Sequence, residues 1–160
     1  MSMQMSDHGR SLLTQWEGYR NQAYDDGVGV LTIGVGHALT PTEKSSGALD
    51  INGTPVPYAG GISDDQVQAL LAYDLRKYEG ALNDAIATDL TQNQFDALVS
   101  FCFNIGVNGF QSSSALSDVN NNNLNAVPDD LRKWEKAGGV YNQGLANRRE
   151  NEIKLWLGQI

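Results

Sequence analysis

The segment 17–37, EGYRNQAYDDGVGVLTIGVGH, constrains the fold more than any other part of the chain. Glycines alternate here with β-branched residues, at positions 27, 29, 34 and 36. Glycine tolerates the backbone conformations of tight turns, and β-branched residues favour extended chain. The pattern therefore predicts short, twisted strands joined by turns, over residues 23–36.

Helical patterns flank this β region. A first helix is predicted over residues 6–17, with Ser6 or Asp7 as its N-cap and Gly18 ending it in the left-handed conformation. The capping boxes SDDQ and TQNQ predict two more helix starts, at residues 63 and 91, and the first of these helices runs to about residue 88. Shorter helices are predicted over 112–120, 128–137 and 144–157.

Residues 41–61 contain three of the four prolines, which predicts a loop with one hairpin at Asn52-Gly53. The whole pattern predicts an α+β, mostly helical fold with its strands segregated near the N-terminus. We expect a single domain over residues 1–160. It comprises a small β-containing lobe at 18–62, a connecting helix at 63–88, and a helical lobe at 89–160 that includes the N-terminal helix.

Composition excludes several classes of function. The net charge of −8 argues against a nucleic-acid-binding protein, which would carry a basic patch. No apolar run is long enough for membrane insertion, and the N-terminus lacks the features of a signal peptide, so we expect a cytoplasmic location. The single cysteine, Cys102, lies between two phenylalanines and is predicted to be a core residue. Neither histidine belongs to a metal-ligand pattern, so no metal or cofactor is expected.

Four residues of the first segment are candidates for chemistry, and each also has a structural interpretation. Glu17 ends the first helix, where the helix dipole disfavours its charged form and suits a general acid; it could equally be a solvated residue before a glycine cap. Asp26 could be a turn residue, Thr32 an ordinary strand residue and His37 a structural hydrogen-bonding group. Taken together, two acids on a helix end and a facing hairpin suit glycoside hydrolysis, which needs a proton donor and a second carboxylate.

The same segment resembles the phage-type lysozymes, the T4-like endolysins of glycoside hydrolase family 24. Glu17, Asp26 and Thr32 match the family spacing of Glu, eight residues, Asp, five residues, Thr, whereas Asp25 does not. The stretches EGYRNQAYDD, TIGVGH, LTQNQFDALVSFCFNIG, WEKAGG and GLANRRENE resemble family blocks in the same order. The resemblance covers essentially the whole chain and implies a lysozyme-like, two-lobed fold.

The resemblance also implies a muramidase that cuts the β-1,4 bond between N-acetylmuramic acid and N-acetylglucosamine in peptidoglycan. Glu17 would be the general acid, Asp26 would activate water, and Thr32 would position that water. The remaining implied roles are sugar contacts for Phe103 and Ser113, pairing with the catalytic glutamate for Arg148, and an ion pair between His37 and Asp74.

The implied biology is host lysis by a monomeric enzyme. It would remain in the cytoplasm until a holin-type partner permeabilises the membrane, and would then attack the wall from the periplasm. Three alternatives remain open at this stage: a peptidoglycan-binding or scaffold module, a toxin domain delivered between bacteria, and a lytic transglycosylase. The presence of all three catalytic-type residues argues against the first, and a transglycosylase does not require the water-positioning pair.

Overall fold

The computed structural model describes residues 2–160. These residues are mostly helical, with three small antiparallel sheets, which confirms the predicted α+β class. The helices are α1 (Asp7–Glu17), α2 (Pro41–Ser46), α3 (Asp64–Ala85), α4 (Gln92–Ile105), α5 (Val107–Gln111), α6 (Ser114–Asn120), α7 (Val127–Arg132) and α8 (Gln143–Trp156). The strands are β1 (Arg20–Asp25), β2 (Leu31–Gly34), β3 (His37–Ala38), β4 (Ala48–Ile51), β5 (Thr54–Pro57), β6 (Lys136–Ala137) and β7 (Val140–Tyr141).

The first helix and the first sheet follow the sequence prediction closely. Ser6 accepts the Gly9 amide at 3.0 Å, as an N-cap does, and Gly18 ends α1 at φ 72° with its amide bonded to the Thr14 carbonyl. The chain then forms an antiparallel sheet in the order β1-β2-β3. The glycines of the segment adopt positive φ at its turns, as predicted.

The prediction for residues 41–61 was right for the hairpin and wrong for the segment before it. Strands β4 and β5 pair around Asn52 and Gly53, both with positive φ, as an Asn-Gly turn requires. Residues 41–46 form the helix α2 rather than a loop. Thr40 caps it, and Glu43 completes a capping box by bonding back to the Thr40 amide.

The helical part of the chain confirms both predicted capping boxes, at Ser63 and at Thr91. The predicted helix over 128–137 is wrong in its second half. Helix α7 ends at Arg132, and Lys136 pairs with Tyr141 in a hairpin turned by two glycines of positive φ. Helix α5 was not predicted.

The chain divides into two compact units. One contains residues Arg10–Asp74, and the other contains Leu75–Ile160 together with residues 2–9. Among residues 2–160, no helix combines the length and apolarity needed to cross a bilayer. Cys102 is buried, and burial raises the pKa of its thiol to about 12, which confirms it as a core residue.

Two aspartates on α6 and α7, Asp118 and Asp130, interact electrostatically within the second unit. Asp130 is buried, and its Oδ2 has no donor partner among the described residues, while its Oδ1 accepts from Ser114 and Lys133. Burial, together with the interaction with Asp118, raises the pKa of Asp130, and the interaction with Asp130 lowers the pKa of Asp118.

We therefore expect Asp130→Asn to stabilise the protein at pH 7 and above. Asparagine is neutral at every pH, whereas Asp130 acquires a buried charge as the pH rises through its raised folded pKa. The expected gain is on the order of 1 kcal/mol in the free energy of unfolding, or about 2–4 °C in Tm. Thermal unfolding measured from pH 4 to pH 9 checks this, and a lower Tm for the variant at pH 8 would contradict a destabilising buried charge on Asp130.

Candidate active site

Glu17 is the last residue of α1 and is exposed to solvent. Its position follows from the glycine cap, because Gly18 turns the chain away from the helix axis and into β1. The Glu17 carboxyl therefore lies in solvent at the C-terminal end of α1.

The two adjacent aspartates make parallel sets of hydrogen bonds in the loop after β1. Asp25 Oδ1 accepts the amides of Gly27 and Gly29 at 2.8 and 3.1 Å. Asp26 Oδ1 accepts the amides of Val28 and Val30 at 3.0 and 3.2 Å. The turn interpretation of Asp26 is thus correct as far as Oδ1 is concerned, and Asp26 Oδ2 takes no part in these bonds.

Thr32 and Asp26 meet at the backbone of Val30. The Asp26 amide donates to the Val30 carbonyl at 3.0 Å, and Thr32 Oγ1 donates to the same carbonyl at 3.2 Å. Thr32 is only 6% exposed and lies opposite Tyr24 in the register of β1 and β2. Because its proton is used on Val30, the Thr32 hydroxyl oxygen presents lone pairs, which can accept a hydrogen bond from water.

His37 lies between two carboxylates of the same unit. Its Nδ1 is 2.8 Å from Asp74 Oδ2, so the contact implied by the family resemblance is present. Its Nε2 is 2.8 Å from Glu43 Oε1, a contact that the sequence did not reveal. Burial alone would lower the pKa of His37, but the hydrogen bonds and charges of the two acids outweigh it and raise the pKa to about 9.

We expect His37 to stabilise the fold most at moderately acid to neutral pH. Its contribution, about 3 kcal/mol for a rise from 6.5 to about 9, is complete below pH 6.5 and is lost as the pH rises through about 9. Burial would raise the pKa of Glu43, but hydrogen bonds from the Thr40 amide, His37 and the Asp50 amide lower it. The stability that Glu43 contributes is therefore lost as the pH falls through this lowered pKa. A double-mutant cycle of His37→Gln and Asp74→Asn should show coupling of about 1–2 kcal/mol at pH 6. Absence of coupling there would contradict the ion pair.

Arg148 belongs to the unit that contains α4 and α8, where it is buried among polar partners. Its guanidinium donates to Glu152 Oε2 at 3.1 Å and to the hydroxyl and carbonyl of Ser100, both at 3.3 Å. The neighbouring Arg149 also binds Glu152, as well as Asn104. One buried carboxylate thus orients two guanidinium groups.

The two residues implied as sugar contacts lie in this same unit. The Phe103 ring is half-buried and packs edge-on against the Tyr78 ring, with centroids 5.2 Å apart. Ser113 is 5% exposed and caps α6, accepting the Leu116 amide at 3.2 Å and donating to the Phe110 carbonyl at 2.7 Å. Both hydrogen bonds give Ser113 a structural role, and its contact with sugar stays a prediction.

Among the buried acids that sequence reasoning missed, Glu43 contacts His37 and Glu152 contacts Arg148. Glu43 stands at the fourth position of the capping box TPTE, a signal that the high proline and glycine content of residues 41–61 obscured. Glu152 lies four residues after Arg148 on one helix face, the spacing of an intrahelical ion pair.

Known proteins share both the sequence pattern and the fold. The family described as Phage lysozyme matches residues 14–152. The endolysin of Salmonella phage P22 is 38% identical over 155 residues, covering 97% of this chain and 99% of that protein. A crystal structure of a P22 lysozyme mutant has a TM-score of 0.82 at 37% identity, covering 97% of this chain and 99% of that one.

The endolysin of Bacillus phage B103 is 33% identical over 157 residues and covers 97% of this chain. The chain spans about half the length, 54%, of that relative. The fold is therefore that of the lysozymes, with an acid at the end of the first helix and a second acid and a threonine on the hairpin that follows it. Within that class, the chain belongs to the phage lysozyme family.

Proposed function

We propose that this chain is an endolysin-type muramidase, which hydrolyses the β-1,4 bond between N-acetylmuramic acid and N-acetylglucosamine in bacterial peptidoglycan. The observation that carries the proposal is the meeting of Asp26 and Thr32 at the Val30 carbonyl, on the hairpin that follows Glu17. Membership of the phage lysozyme family and the endolysin names of its relatives support it.

The proposed chemistry uses two acids and a hydroxyl. Glu17 protonates the leaving glycosidic oxygen, and Asp26 takes a proton from the attacking water. Asp26 Oδ1 is held by the amides of Val28 and Val30, so Oδ2 is the oxygen proposed to face the water. Thr32 accepts the water's other proton as a hydrogen bond, which leaves a lone pair of the water for the anomeric carbon. This arrangement predicts inversion.

Arg148 is proposed, from the family resemblance, to pair with Glu17. Arg148→Lys should reduce lytic activity on the order of tenfold, the cost of one charge-assisted hydrogen bond, because lysine lacks the fork of donors. The pH profile of activity should move as well, which a purely structural loss would not cause. An unchanged pH profile with reduced Tm would assign Arg148 to stability alone.

Peptidoglycan digestion tests the proposed activity. Mass spectrometry of the released muropeptides should show reducing ends, the product of hydrolysis. Anhydro ends would identify a lytic transglycosylase instead. Absence of release, with the protein bound to sedimented cell walls, would identify a peptidoglycan-binding or scaffold module.

The proposed route to the wall is release from the cytoplasm through a membrane lesion made by a holin-type partner, with the enzyme acting as a monomer. Expression in a bacterium should leave the cells intact until the membrane is permeabilised, for example with chloroform. Lysis without permeabilisation would point to another export route, including that of a toxin delivered between cells.

A further inference from the structure

The segment 41–57, which contains α2 and the β4–β5 hairpin, is joined to the sheet β1-β2-β3 through one buried carboxylate. Glu43 is 4% exposed. Its Oε1 accepts from His37 Nε2 at 2.8 Å and from the Thr40 amide at 2.9 Å, and its Oε2 accepts the Asp50 amide at 3.1 Å. The three donors lie on β3, at the cap of α2 and on β4, so Glu43 connects all three elements.

The positions of His37, Asp74 and Glu43 require a proton on both ring nitrogens of His37. Both ring nitrogens of His37 are 2.8 Å from a carboxylate oxygen, of Asp74 on α3 and of Glu43 on α2. Ionised carboxylates only accept hydrogen bonds, and a neutral imidazole donates only one. The arrangement is therefore satisfied by an imidazolium ring that donates to both acids, which agrees with the raised pKa of His37 and the lowered pKa of Glu43.

The other titratable groups near this cluster do not replace either acid. An open groove of about 800 Å³ beside it is also lined by Asp50 and Tyr73. The Asp50 carboxylate accepts the Gly53 amide at 2.8 Å, within its own hairpin turn. The Tyr58 hydroxyl donates to the Glu43 carbonyl rather than to its side chain.

His37 lies on the strand that pairs with β2, the strand that contains Thr32. His37 lies opposite Ile33, and Ala38 lies opposite Thr32, in the antiparallel pairing of β2 and β3. Strand β3 has only two residues, so backbone pairing alone holds it weakly, and its side-chain anchors carry much of its position. Holding the His37 ring from two sides fixes β3, and β3 in turn supports the edge of β2.

We infer that Glu43 is a positioning residue for the proposed muramidase reaction: it holds the imidazolium of His37 against Asp74 and so fixes the strand pair that places Thr32. This inference rests on the proposed function. It adds to that function a dependence of activity on the protonation of His37, which the three proposed catalytic residues would not produce.

The test compares Glu43→Gln with the matched variant Asp50→Asn, which removes the same charge from the same groove without touching His37. A glutamine side chain has one oxygen and one NH₂ group in place of the two carboxylate oxygens of Glu43. Whichever way it is oriented, the NH₂ group faces at least one N–H donor that now bonds to Glu43. We expect the pKa of His37 to fall in Glu43→Gln, and a fall from about 9 to about 8 lowers the imidazolium fraction at pH 9 from about one half to about one tenth, roughly fivefold. The turnover rate at pH 9 should drop on the same order relative to pH 6, with little change in KM, and Asp50→Asn should retain the parent profile.

NMR titration of the His37 ring separates failure of this inference from failure of the proposed function, since it needs no substrate. A parent protein whose His37 titrates near 6.5, or a Glu43→Gln variant with the parent titration and pH profile, would overturn the role of Glu43. Loss of muropeptide release at all pH values in the parent protein would overturn the muramidase proposal and leave the titration result standing. If Glu43→Gln does not fold, the parent titration alone still decides the imidazolium clamp.

Discussion

Glu17→Gln is expected to lose lytic activity by about 10²- to 10⁴-fold, the range that one general acid contributes. Glutamine has nearly the same shape as glutamate but has no acidic proton to donate to the leaving oxygen. Glu17 is exposed at the end of α1, so the substitution should leave the fold intact. The measurement is the rate of turbidity loss of a cell-wall suspension, together with Tm.

The matched control is Glu150→Gln, which makes the same change at an exposed position of α8 where the carboxylate pairs with Arg132. This variant should lyse cell walls at nearly the parent rate, because exposed ion pairs contribute little to stability. Parent-like turbidity loss by Glu17→Gln would remove Glu17 from the mechanism.

Asp26→Asn is expected to have a comparable effect, since an amide cannot take a proton from the attacking water. The loss should again be about 10²- to 10⁴-fold. Asp25→Asn is the control, because Asp25 is adjacent and accepts the same kind of two-amide hydrogen bonds through its own Oδ1. It should reduce activity only mildly, as an asparagine side-chain oxygen can still accept both amides.

The stereochemistry of the product tests the role given to Asp26 and Thr32. Carboxyl groups roughly 6.5–9.5 Å apart leave room for water and give inversion, whereas a separation of about 5–5.5 Å favours direct attack and retention. We predict inversion, because a hydroxyl beside Asp26 has a use in holding water and little use if the carboxylate itself attacks. NMR of the first-formed product should then show the α-anomer. A β-anomer, or a glycosyl ester trapped on Asp26, would reverse the assignment.

Local signals predicted the elements that depend on local bonds. The cap of α1 at Gly18, the capping boxes at Ser63 and Thr91, and the turn at Asn52-Gly53 all appear as predicted, because each is completed within a few residues. The errors lie where two local signals competed. In residues 41–46, the proline and glycine content of the longer stretch 41–61 outweighed the capping box of Thr40 and Glu43. The helix after Pro128 was extended past Arg132 into a glycine turn.

The sequence by itself determined the fold class, the family and the spacing of Glu17, Asp26 and Thr32, because periodicity, caps and spacing are properties of the linear chain. Only the tertiary structure decided which groups meet across long separations. Glu43 and Asp74 are 31 residues apart, yet both contact His37. Ser100 accepts a hydrogen bond from the guanidinium of Arg148, which lies 48 residues further along the chain. Such contacts leave no periodic trace, since a buried ion needs only partners near in space, whatever their order along the chain.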